Sequence, residues 1–167
     1  MRLKQLFFLL LISTVTFAQQ PAVIKKQAEQ MGNALLQRDY KTFVTFTYPT
    51  VVKEMGGAEK MAGSIRKQME DMQKSATILS ITYGQPSTVI SEGKELQCTV
   101  PQEMIIKTAQ GKIKSTSTLL AFSSDKGEHW HFVDAGDRDI ATVRTTLPNA
   151  SKKLVIPKPV PPQFLKN

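Results

Sequence analysis

Between residues 24 and 35 the apolar positions Ile24, Ala28, Met31 and Leu35 recur at intervals of four, three and four, the period of a helix with one apolar face. A second helical piece starts after Asp39, whose side chain suits an N-cap, and turns Tyr40, Phe43 and Val44 inward. Pro49 interrupts it, because proline removes a helix donor and clashes with the preceding turn. Val51, Val52 and Met55 continue the apolar surface, and Gly56-Gly57 marks a stop. The third helix carries the stripe Met61, Ile65, Met69 and Met72, with Arg66, Lys67, Glu70 and Asp71 away from it.

From Ser75 the period falls to two and the residue types turn to Thr, Val, Ile and aromatics, as a sheet requires. Thr77, Leu79, Ile81 and Tyr83 alternate in one run, and Leu96, Cys98, Val100, Met104 and Ile106 in another. Two more runs, 112–123 and 128–134, complete a meander whose reversals are Glu92-Gly93-Lys94, Gln110-Gly111-Lys112 and Asp125-Lys126-Gly127. Pro101 lies inside a strand run, where it cannot donate to a ladder, so a bulge or bend is expected there. Asp137 is placed to cap a short helix carrying Ile140, Val143 and Leu147. The expected fold is therefore α+β: three N-terminal helices on a curved antiparallel sheet of four to five strands, then a short C-terminal helix.

The two ends of the chain differ from this body. Arg2 and Lys4, the apolar run Leu6 to Val15 and Thr16-Phe17-Ala18 read as an export signal over residues 1–18. Cleavage near Ala18 would make the protein periplasmic or secreted. The apolar run is too short to span a bilayer, so no membrane span is expected. The folded domain is read over residues 19–149, and residues 150–167 as an extended Pro/Lys-rich tail. The formal charge of +8 also belongs largely to the ends. Of 22 basic residues two lie in the leader and four in the tail, leaving 16 against 14 acids, which argues against a nucleic-acid surface. The single cysteine, Cys98, cannot form an internal disulfide and reads as a small buried hydrophobe.

Arg38-Asp39-Tyr40, Tyr48-Pro49 before Met55-Gly56-Gly57, and the closing strand Trp130-His131-Phe132-Val133-Asp134, set in this element order, make the chain resemble the nuclear transport factor 2-like superfamily of cone-shaped α+β domains over roughly residues 22–147. The resemblance implies a pocket between helices and sheet, where the family's enzymes use a carboxylate or His/Asp pair beside tyrosine donors. No run here matches a catalytic set of that family. Other members hold a ligand, dimerise or act as accessory modules.

In the closing strand, residues two apart share a face. Trp130 and Phe132 are expected inward with Asp134 at the end, and His129 and His131 outward. A carboxylate beside an aromatic wall suits a proton-transfer base, so Asp134, with Tyr48 as hydroxyl donor, forms the candidate catalytic pair. Asp134 also fits a turn or cap. Tyr40, Tyr83, Trp130 and Phe132 are the candidate ligand-binding residues. The two histidines lack an identifiable third ligand, so no metal site and no cofactor are expected. No serine-nucleophile, phosphate-loop or paired-cysteine pattern is present. The function read from the sequence is an exported, non-enzymatic domain binding a small apolar ligand or a protein partner, with a homodimer through the outer sheet face as one form of partner. A small pocket enzyme using Asp134 is the alternative.

Overall fold

A computed structural model describes residues 20–165; the expected leader, residues 1–18, lies outside them. The fold is α+β, with five helices and an open antiparallel sheet of six strands. In order these are α1 (Gln20–Leu36), α2 (Tyr40–Thr45), α3 (Pro49–Glu54), α4 (Ala58–Met72), β1 (Ala76–Tyr83), β2 (Ile90–Glu92), β3 (Glu95–Thr108), β4 (Gly111–Ser123), β5 (His131–Asp134), α5 (Ile140–Thr146) and β6 (Gln163–Leu165).

The interruption at Pro49 is complete. Pro49 occupies the first turn of α3, where its missing N–H costs nothing, so four helices precede the sheet rather than three. Gly56 and Gly57 take positive φ of 85° and 98°, reversing the chain into α4. Helix α1 lies against β1, while α4 packs on α2 through Met61, Ile65 and Met69 around buried Tyr40, Val44 and Ala62. Three of the four stripe residues, Met61, Ile65 and Met69, therefore form an inter-helix contact.

The sheet order is β1-β3-β4-β5, with β2 added to β3 and β6 to β4. Two of these six strands are three-residue pieces. The register of β3 against β4 runs unbroken through Pro101↔Thr118. No bulge interrupts the pairing at this proline, because its N and O point toward β1 just where β1 ends: Gly84 N donates to Pro101 O at 2.9 Å. A missing donor there costs no ladder bond. The irregularity falls instead on β1, between Ile78 and Ser80.

Two cores flank the sheet. On its inner face Cys98, Val100, Leu119, Ala121, Trp130 and Phe132 pack with Ile24, Ala28 and Met31 of α1. On its outer face Leu120 and Phe122 pack with Tyr48, Val143, Leu147, Ala150 and Leu154. Helix α5 is capped by Asp139, whose side chain accepts from Thr142 N at 2.8 Å, so it starts two residues later than an Asp137 cap would place it. Packing also continues past Asn149, the expected end of the domain. Ala150, Ser151 and Leu154 are buried, and Phe164 of β6 pairs with Ile113 of β4.

Candidate functional site

The space expected to hold a pocket, between α1 and the inner face, is filled. Trp130 and Phe132 are 1% and 2% exposed, and each such side chain contributes about 1.5–3 kcal/mol by burial. Trp130 Nε1 donates to Gly127 O at 3.0 Å, and its backbone N donates to Gln27 Oε1 of α1 at 2.7 Å. Tyr83 is buried under α1, which approaches so closely that a Cβ at Gly32 would lie 2.6 Å from the Tyr83 hydroxyl. Burial, and then the charges of Asp134 and Glu29, push that hydroxyl above its usual range. Cys98 is fully buried, and burial pushes its thiol up to about 12. Tyr40 packs between α2 and α4. Tyr40, Trp130 and Phe132 are thus packed interior residues, and only Tyr83 among the four candidates reaches a cavity margin.

Asp134 and Tyr48 do not meet. Asp134 pairs with Leu119 on the inner-face side, at the exposed end of β5. Its Oδ1 accepts from Gly136 N at 2.7 Å, and its Oδ2 accepts from Ser117 Oγ at 3.1 Å and Gln102 Nε2 at 3.3 Å. Those bonds make it a turn residue anchored to the sheet. Tyr48 stacks on Phe122 on the outer face, with ring centroids 4.4 Å apart. Its hydroxyl donates to Glu95 Oε1 at 2.9 Å and accepts from Asn149 Nδ2 at 2.7 Å. Burial, followed by the Glu95 carboxylate, raises its pKa. Gln97 continues the network, donating to Asn149 O and accepting from Ser151 N. These side chains fasten the segment after α5 to the outer face.

The histidines follow the alternation but separate from each other. His129 is exposed and its Nδ1 lies 2.6 Å from Asp125 Oδ2. Asp125, Glu128 and His129 can bring one ligand atom each within 4.8 Å of one another, so the carboxylates nearest a histidine come from its own turn. Burial opposes ionisation of Asp125, but the His129 backbone N–H, the His129 ring and the Ser123 hydroxyl together outweigh it and hold the carboxyl down at about 2. His131 points elsewhere, into an open bowl between α2, α3 and the start of α4.

This bowl has a volume of about 560 Å³, against about 380 Å³ for the cleft beneath Pro157–Val160 and about 330 Å³ for the cleft at the α1–β1 edge. Val44, Pro49 and Val52 form its apolar wall, Gly56, Gly57 and Ala58 one rim, and Lys41, Lys53 and His131 its polar groups. The local sequence builds it. Asp39 caps α2 by accepting from Thr42 N at 3.0 Å, Pro49 starts α3 afresh, and the glycine pair swings α4 back across α2. The strand-like segment between α2 and α3 is tied to the free edge of β5: Phe132 N donates to Phe46 O at 2.7 Å and Tyr48 N to Phe132 O at 3.1 Å. That pairing sets His131 at the bowl. Burial lowers the His131 pKa, opposed in part by the Asp125 charge, which favours a neutral imidazole beside the apolar wall. Sequence reasoning placed His131 outward but missed Lys41, Val44, Val52 and Lys53 as parts of one cavity, since no spacing pattern links them.

Compared with protein families and with curated proteins, the chain matches none. No helix among the described residues is long and apolar enough to cross a membrane.

Proposed function

We propose that the chain is an exported, non-enzymatic domain of the nuclear transport factor 2-like type that binds a small apolar ligand in the bowl between α2, α3 and α4. The observation carrying this reading is the bowl itself: a cavity of about 560 Å³ with an apolar wall, beside an inner face filled by its own side chains. Ligand sites combine such a wall with a few polar groups that fix orientation. Export is supported by Arg2, Lys4, the run Leu6 to Val15 and the small residues around Ala18.

The test uses protein purified after export and the neutral fluorescent probe N-phenyl-1-naphthylamine. Val52→Trp places an indole in the bowl at a half-buried position, and is expected to weaken probe binding at least tenfold with an unchanged far-UV circular dichroism spectrum. Equal binding by both proteins would remove the bowl as the site.

A further inference from the structure

We propose that the ligand of the bowl is an amphipathic anion, an apolar chain carrying a single carboxylate, whose head group is taken by Lys41 and Lys53 while its chain lies against Val44 and Val52. This rests on the reading of the bowl as a ligand site and adds the ligand's chemical class.

The charge distribution around the bowl carries the inference. The body of the protein is nearly balanced in charge, yet the bowl is lined by two lysines and a histidine and by no carboxylate. Three other cavities among the described residues each include an acid: Glu103 beneath the Pro157–Val160 segment, Glu29 at the α1–β1 edge, and Glu92 with Glu95 beside α5. Ion pairs among the described residues join Lys25 to Glu29, Lys74 to Asp71, Lys114 to Glu103 and His129 to Asp125. Neither Lys41 nor Lys53 takes part in one of these. Asp39, the acid adjoining Lys41 in influence, already has both oxygens engaged by Thr42, at 3.0 and 2.6 Å. The two ammonium groups are therefore left to solvent or to a ligand.

Position strengthens the assignment. Lys41 comes from α2 and Lys53 from α3, so two separately anchored helices bring a cation each to one cavity. Long lysine stems lie along apolar surface while the charged head stays at the wet rim, which suits a ligand whose own head is at the rim and whose chain is within. A cation or a second amine would meet like charge there.

The test compares decanoate, decanol and decyltrimethylammonium below their aggregation concentrations, by isothermal titration calorimetry on the exported protein. Decanoate is expected to bind at least tenfold more tightly than decanol, with the quaternary amine weakest. In Lys41→Met/Lys53→Met, which keeps most of each stem, decanoate should fall to the affinity of decanol. Equal affinities for decanoate and decanol in the wild-type protein, or an undiminished preference in the double variant, would overturn the anion assignment while leaving the bowl as a neutral-ligand site. Failure of decanoate with retained binding of the neutral naphthylamine probe would do the same. Failure of every ligand and of the neutral probe would instead defeat the bowl reading beneath it.

Discussion

The interior beneath α1 and the bowl beside α2 lie on either side of β5, and they are built on opposite principles. Beneath α1, Trp130, Phe132, Tyr83 and Cys98 meet Ile24, Ala28 and Met31 with side chains occupying the volume. At the bowl, three short helical starts and stops leave about 560 Å³ uncovered, because caps and turns spend residues on geometry rather than on filling. Successive residues of one strand serve both regions, with Phe132 facing the filled side and His131 the open one. Packing to crystal-like density leaves no room for a guest, so a ligand site is to be sought where the helices part.

The contrast can be broken most strongly by emptying the filled side. Phe132→Ala removes a 2%-exposed ring, and a loss of about 3–5 kcal/mol in chemical denaturation is expected. A loss under about 1 kcal/mol would mean that the interior is loosely packed and able to host a ligand after all. A smaller effect comes from overfilling. Gly32→Ala gains up to about 1 kcal/mol of helix propensity, but sets a methyl group 2.6 Å from the Tyr83 hydroxyl, and overpacking of that kind costs about 1–3 kcal/mol. A net loss of about 1 kcal/mol is expected, and a stabilised variant would show spare space under α1.

The smallest expected effect concerns the open side. Because burial lowers the His131 pKa below its ordinary 6.5, the unfolded chain binds a proton there that the folded chain resists. Stability from this group is then present above pH 6.5 and declines as the pH falls from 6.5 toward the folded-state value. Thermal melts from pH 7.5 to 5 should show a shallower decline in His131→Gln than in the wild type. Identical slopes would place His131 in full contact with water, and the bowl with it.

Much of the filled side was legible in the sequence, because periods of 3.6 and two report which residues share a face. Ile24, Ala28 and Met31 on α1, and Trp130 and Phe132 beside Cys98 and Val100, all go where their spacing puts them. The outer core was less legible. Thr118 to Ser123 is buried throughout rather than alternately, because a second cover arrives from Val143, Leu147, Ala150 and Leu154. Leu154 sits in a lysine- and proline-rich stretch with no period, so only its position in space reveals its role. The bowl was invisible for a similar reason. Lys41, Val52, Gly57 and His131 converge through Pro49, two glycines and one pairing of residues 46–48 with β5, none of which is a motif for binding. That Asp134 and Tyr48 lie apart was not legible, because alternation fixes faces within a strand but does not say that Tyr48, from a helix boundary, lands on the outer face.

The most direct test of a filled interior beside an open bowl is a ligand titration followed by two-dimensional amide NMR, using the neutral naphthylamine probe on the exported, isotope-labelled protein. The largest shifts are expected at Thr45, Val52, Gly57 and His131, with the single Trp130 indole N–H, bonded to Gly127 O, nearly unmoved. Large shifts at the Trp130 indole and at Cys98 and Val100, with the bowl residues still, would contradict the assignment and place the ligand beneath α1.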